Sequence, residues 1–158
     1  MGLGSNVGDR RRQLLRALAE LAHLAPLERV SSFYSSDPVG YAAQARFWNG
    51  AVEILWRGSP GALLRAVKRI ERRCGRLPRF TGGPREIDVD ILDMAGLVRA
   101  GPDPILPHPR LAERRFALEP LAEIAPRWRH PLTGLTAKQM LAKLPRKPGV
   151  RRIGPASD

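Results

Sequence analysis

The sequence predicts a single α/β (α+β) domain, and three observations predict it. Segments with the period-2 alternation of strands are interspersed with segments carrying the 3.6-residue stripe of amphipathic helices. No repeat and no Pro-, Gly- or Ser-rich linker divides the 158 residues. A chain of that length suits one domain and can bury a real core.

The chain opens on Met1-Gly-Leu-Gly-Ser-Asn-Val-Gly8, the end of a strand running into a glycine-rich turn. Gly2-x-Gly4 begins a dinucleotide-binding fingerprint, but its third glycine would fall at Val7, and no P-loop motif occurs anywhere. Asp9 is placed to cap a helix over residues 10–25, with Leu14, Leu18 and Leu21 on one stripe. Residues 27–34 read as a strand. Residues 35–45, which include Asp37-Pro-Val-Gly40, read as a loop, and unstructured loops of that length are usually functional or mobile. Strand alternation returns at 47–56, with Phe47, Asn49 and Ala51 on one side. An amide among apolar neighbours must satisfy both donor and acceptor. For Asn49 a structural network could do that, or the edge of a heterocycle.

Ser59-Pro60 is a cap followed by a first-turn proline, and it starts a helix whose stripe is Leu63, Leu64, Val67, Ile70 and Cys74, ended by Gly75. Residues 76–84 form a second polar loop containing Gly82-Gly83. It leads into a strand, and Leu97-Val98 is expected to continue that strand as a short hairpin. Residues 102–109 are proline-dense and hold His108 between two prolines, a setting that is no helix-face core. Residues 111–124 read as a helix stopped by Pro126, and residues 136–144 as a last short one. The tail from residue 145 is basic and proline-rich and is expected to be loosely held.

The stretch that carries chemistry is Pro84-Arg-Glu-Ile-Asp-Val-Asp-Ile-Leu92. Its alternation points Ile87, Val89 and Ile91 into a core and sets Asp88 and Asp90 together on the other face. The two backbones stand about 6.6 Å apart there. Carboxylates so close repel each other unless a cation lies between them. Hard oxygen ligands suit Mg²⁺, which takes one or two carboxylates and completes its shell with water and phosphate. Arg85 adds a planar cation suited to phosphate. Taken alone, the same pair could be a solvated strand face with no role.

Composition narrows the classes. Apolar residues make up 43% and charged residues 27%, ordinary for a globular domain. No apolar run approaches a membrane span, and the N-terminus lacks a signal-peptide layout. One cysteine, Cys74, excludes an internal disulfide framework and a thiolate cluster, so the cytoplasm is the expected compartment. The net charge of +12 rests on 23 Arg and 4 Lys. Such a charge fits polyphosphate or nucleic acid. The arginines are scattered and aromatics are 6%, so charge alone decides nothing.

Three motifs in register carry a resemblance. Gly4-Ser-Asn-Val-Gly8, Pro84-Arg-x-x-Asp88-x-Asp90-Ile-Leu92 and Leu106-Pro-His-Pro-Arg-Leu111, the last followed by Arg114-x-Phe116, resemble 6-hydroxymethyl-7,8-dihydropterin pyrophosphokinases. These folate-pathway enzymes move diphosphate from ATP to a pterin alcohol, and the likeness runs from about residue 2 to 144. It implies a ferredoxin-like α-β-α sandwich, a mainly antiparallel sheet backed by helices, with mobile loops over the site. It implies Asp88 and Asp90 as ligands of Mg²⁺, two ions in all, and with Arg76 and Arg85 as the catalytic set. It places the pterin against Ser36, Asp37, Pro38, Val39, Phe47, Asn49 and Phe116. It places ATP against Glu71, Arg76, Arg85, Ile91, Ile105, His108 and Arg114. The implied partners are these two small molecules, with no nucleic acid and no membrane, and the chain is expected to be a monomer.

The chain departs from the family pattern in its second loop, about one residue short. Pro78 stands where Arg is frequent, and Thr81-Gly82 where a basic residue and an aromatic are. Arg79 is the candidate to replace the missing charge. Two rival readings stay open: a non-catalytic pterin- or nucleotide-binding relative, and a basic nucleic-acid-binding domain of the same topology.

Overall fold

A computed structural model describes residues 1–147 and 149–156. Its strands are β1 (Gly2–Ser5), β2 (Leu27–Val30), β3 (Phe33–Ser36), β4 (Phe47–Ile54), β5 (Asp88–Asp90) and β6 (Val150–Gly154). Its helices are α1 (Arg10–Leu24), α2 (Pro60–Arg73), α3 (Arg115–Ile124) and α4 (Ala137–Lys143), with a 3₁₀ turn at Leu111–Glu113. The sheet runs β5-β1-β4-β3-β6, with β2 also on β4, and every pairing is antiparallel.

The apolar stripes explain the layering. Leu14, Leu18 and Leu21 of α1 and Leu63, Val67 and Ile70 of α2 are buried against Leu3, Val52, Ile87, Val89 and Ile91 on one side of the sheet. A second core joins α3 and α4 through Leu118, Leu121, Ala137 and Met140, with Leu92 and Leu111. The helices start where the sequence signals them. Asp9 accepts the Arg12 N–H at 3.0 Å, Ser59 accepts the Ala62 N–H at 3.2 Å, and Thr136 forms a reciprocal capping box with Gln139.

Four elements differ from expectation. The strand expected over 27–34 is two strands, because Ser31 turns both its N–H and its hydroxyl to Ala51 and breaks the run. The helix expected from 111 begins as a 3₁₀ turn and is interrupted at Arg114, whose extended ψ of 91° starts α3 afresh. The hairpin expected at Leu97-Val98 is reduced to one bridge between Arg99 and Leu106. The tail is not loose over its whole length, since β6 pairs with β3 from Val150 opposite Ser36 to Gly154 opposite Phe33.

A candidate active site on the sheet

Register builds the floor of the site. Gly4 of β1 lies opposite Asp88 on one side and Asn49 on the other, and Gly2 lies opposite Asp90 and Ala51. Residues directly opposite in a ladder share a face, so Asp88, Gly4 and Asn49 form one row across three strands. With no side chain at Gly4 the row is open between the two; a Cβ there would lie in contact with Asn49 Oδ1, at 3.4 Å. Above the row is a cavity of about 210 Å³ whose lining includes Ser36, Asp37, Val39, Phe47, Asn49, Thr81, Arg85, Asp88, Asp90, Arg114 and Phe116.

At one end Asn49 is buried to 3% exposure and donates to Ser36 Oγ at 2.8 Å. Phe47 and Phe116 line the same end. The Arg114 guanidinium lies 5.7 Å over the Phe116 ring and donates to Asp90 Oδ2 at 3.0 Å, joining the aromatic end to the acidic one.

The acidic end is a network of ion pairs. Asp88 accepts from Arg76 Nη1 at 2.6 Å and from Arg85 Nη1. Burial works against the Asp88 charge, but the Arg85 and Arg76 guanidiniums outweigh it and hold the carboxyl below its ordinary range. Arg76 also donates to Glu71 Oε1 at 2.5 Å, and Glu71 takes the Val89 N–H at 2.8 Å. Burial alone would lower the Arg76 pKa, yet Asp88 and Glu71 raise it. His108 Nε2 stands 3.4 Å from Arg114 Nη1 and 4.0 Å from Asp90. Burial lowers its pKa, and so do the charges of Arg114 and Arg110, against the pull of Asp90.

The roof is made by two loops. Asn6 accepts the Arg85 N–H at 2.7 Å and donates to Gln44 Oε1 at 2.9 Å and to the Ala45 carbonyl at 3.0 Å. Gln44 in turn donates to the Gly82 carbonyl at 2.9 Å. Tyr41 and Phe80 meet edge to face, 5.4 Å between centroids. Arg79 is paired with Glu86 and does not line the cavity.

Of the residues the sequence singles out, ten line this cavity: Ser36, Asp37, Val39, Phe47, Asn49, Arg85, Asp88, Asp90, Arg114 and Phe116. Arg76 and His108 stand behind them, Arg76 on Asp88 and His108 beside Arg114 and Asp90, and Glu71 stands one step further back, holding Arg76. Pro38 is outside the lining. Ile91 is in the core on the other face, and Ile105 is 39% exposed on the proline-rich loop. Sequence reasoning missed Gly2, Leu92, Gly83 and Arg110 as lining residues and Gln44 as a loop contact. Gly2 and Leu92 were recoverable from strand period; Gln44 and Arg110 carry no local signal.

Over residues 1–126 the chain matches the family described as 7,8-dihydro-6-hydroxymethylpterin-pyrophosphokinase. The chain belongs to that family. A 2-amino-4-hydroxy-6-hydroxymethyldihydropteridine pyrophosphokinase of Bacillus subtilis is 45% identical over 78% of this chain and 75% of its own length. One of Aquifex aeolicus is 39% identical over 84% of this chain and 82% of its own. A folic acid synthesis protein of Dictyostelium discoideum is 36% identical over 98% of this chain, which spans only 24% of that longer protein. Among the described residues no helix is long and apolar enough to cross a membrane.

Proposed function

We propose that this chain carries out the reaction for which its family is named, moving diphosphate from ATP to the hydroxymethyl group of 6-hydroxymethyl-7,8-dihydropterin in folate biosynthesis. The observation that supports the reading is the row Asp88–Gly4–Asn49, a carboxylate and a buried amide facing one cavity that Asp90 also lines. The pterin lies between Phe47 and Phe116 with its amide edge on Asn49. Two aromatics and an amide hold a flat, hydrogen-bonding ring. The ATP phosphates lie at Arg85, Arg114 and His108, with Ser36 to Val39 flanking the pterin.

The donor set fits Mg²⁺. Asp88 is kept ionised, Asp90 shares its face, and both reach the cavity. No cluster of three His, Cys, Asp or Glu side chains forms a cage among the described residues. That suits an ion that takes one or two carboxylates and fills its shell with water and phosphate oxygens. When bound at Asp88 and Asp90, Mg²⁺ supplies positive charge to the phosphate oxygens. The chain's own residues do the rest. Asn49 and the two Phe rings aim the hydroxyl at the β-phosphorus; the new O–P bond forms as the bond from that phosphorus to the AMP oxygen breaks, and the hydroxyl proton is released to solvent. Arg85 and Arg114 neutralise charge on the transferring group and the departing phosphate. Arg76, held between Glu71 and Asp88, fixes the Asp88 carboxylate.

Chromatography of the reaction tests this directly. AMP forms from ATP only when hydroxymethyldihydropterin and Mg²⁺ are both present. ADP as the nucleotide product, or AMP without the pterin, overturns the reading.

A further inference from the structure

The family match ends at residue 126, yet the site leans on a segment beyond it. Residues 145, 147 and 150 line a smaller cavity of about 50 Å³ that shares Ser36, Asp37, Val39 and Phe116 with the main one. Between them Gly149 makes two hydrogen bonds to a single residue. Its N–H donates to Asp37 Oδ2 at 2.9 Å, and its carbonyl accepts the Asp37 N–H at 3.1 Å.

Asp37 is where the first roof loop leaves the sheet. Its other carboxylate oxygen takes Arg46 Nη1, and Arg46 Nε donates to Ser35 Oγ at 2.9 Å, where the loop returns to β4. Asp37 therefore closes the neck of residues 37–46 from inside, and Gly149 holds Asp37 from outside. The approach is close: a Cβ at residue 149 would stand 3.3 Å from Asp37 Oδ2 and push that carboxylate by a few tenths of an ångström. β6 then continues along β3, with Val150 opposite Ser36, the residue whose hydroxyl holds Asn49. Gly149 itself lines neither cavity, and its two hydrogen bonds both go to Asp37, which lines both.

We propose that Gly149 is a positioning residue for the pterin end of the site, which makes the strand β6 part of the substrate-binding apparatus. This rests on the functional reading above. The clasp fixes the loop neck, so that Ser36, Val39 and Asn49 meet the ring in one arrangement. It leaves the phosphate end alone, because Arg85, Asp88, Asp90 and Arg114 are held by other partners.

The test compares two changes to the same strand in the full chain. Gly149→Pro removes the N–H that Asp37 accepts. Arg152→Ala removes an anchor in the middle of β6, where Arg152 donates to Ser32 Oγ at 2.6 and 2.9 Å. Gly149→Pro raises the pterin KM about tenfold, as the loss of one hydrogen bond to a carboxylate does, with the ATP KM within about twofold of wild type. Arg152→Ala lowers the melting temperature but leaves the pterin KM within about twofold. A merely structural strand would instead make pterin KM follow melting temperature in both variants, and that pattern overturns the proposal. An unchanged pterin KM in Gly149→Pro overturns it too, as does an equal rise in the ATP KM.

Amide hydrogen exchange in the free protein reads the clasp without substrate. Exchange in residues 38–46 quickens in Gly149→Pro and not in Arg152→Ala, while α1 and α2 are unaffected. Unchanged exchange there refutes the clasp even if the wild type turns out to make no AMP, so the two readings fail separately. Should Gly149→Pro not fold, Gly149→Val crowds Asp37 Oδ2 while keeping the Asp37–Arg46 pair, and the same exchange measurement decides.

Discussion

The floor and the roof of the cavity are held by different kinds of contact. On the floor, ladder register sets Asp88, Gly4 and Asn49 side by side, and a slip of one residue would send each side chain to the opposite face. The roof rests on a few side-chain hydrogen bonds through Asn6 and Gln44 and on the exposed Tyr41–Phe80 contact. Each such bond is worth about 0.5–1.5 kcal/mol net, whereas the ladder yields only when the sheet does. The floor decides which atoms meet, and the roof decides how readily the site opens. Changes on the floor should therefore alter chemistry and binding steeply, while changes on the roof should alter access.

The largest effect is expected from Asp88→Asn. On the proposed function it removes a ligand charge where phosphate charge is neutralised, and turnover should fall at least about 10²-fold. From the sequence, two facing carboxylates would repel, so this change should be neutral or stabilising. The structure reverses that sign. Asp88 is bound by Arg76 and Arg85, so the variant leaves two guanidiniums short of an acceptor and should cost about 1–3 kcal/mol of stability. Single-turnover rates and denaturant unfolding separate the two effects. A normal rate would return the pair to the role of a structural ion-pair hub.

Asn49→Ala comes next, at the other end of the same row. The pterin edge is left unpaired and pterin binding weakens by about 1–3 kcal/mol, with ATP affinity little changed. Calorimetry that shows ATP affinity falling equally would mean that the row is one unit, not two subsites.

How much of this was legible in the sequence follows the same division. Period-2 alternation placed Asp88 and Asp90 on one face and Val89 on the other, and Phe47 and Asn49 together, because strand geometry is local. Caps and glycines located α1 and α2 for the same reason. What alternation does not contain is which strands become neighbours, so the row through Gly4 had to be seen. The roof was less legible still. Gln44 is an ordinary loop residue until it reaches Gly82 from 38 positions away. Arg79 carried the right charge, but it is claimed by Glu86, a partner that charge counting cannot choose. The tail looked loosely held by composition, and only pairing to β3 makes residues 150–154 a strand.

Gln44→Ala sharpens the comparison on the roof. It breaks the contacts to Asn6 and Gly82 and removes nothing from the floor. The expected result is a rise of about two- to tenfold in KM for both substrates, with a melting-temperature drop well below that of Asp88→Asn, as for loss of two part-buried loop hydrogen bonds. A melting-temperature drop as large as that of Asp88→Asn would show that the loops support the fold as well as the site.

The smallest effect concerns how the floor is tied to α3, which carries Phe116. Glu123 of α3 accepts the Ser32 N–H at 3.1 Å, the Ser32 hydroxyl at 2.9 Å and the Tyr34 hydroxyl at 2.8 Å. Burial pushes the Glu123 pKa up, but these bonds and Arg152 outweigh it, so the folded value lies below the ordinary one. Tyr34 is raised by burial and by Glu123, and it stays a donor at any ordinary pH. A carboxyl whose pKa is lowered on folding contributes stability that is complete above its unfolded pKa, about 4.3, and is lost as pH falls through the folded value. The side chain is 31% exposed, so the contribution is about 1 kcal/mol or less. Glu123→Gln should therefore melt below wild type at pH 6, and the gap should close as pH falls from about 5 to 3. Its pterin KM at neutral pH should match wild type, because Phe116 is also held by Arg114 and by the buried core of α3. If the gap persisted at pH 3, the carboxylate charge would not be what ties the helix to the sheet; a raised pterin KM would make this tie part of the binding floor.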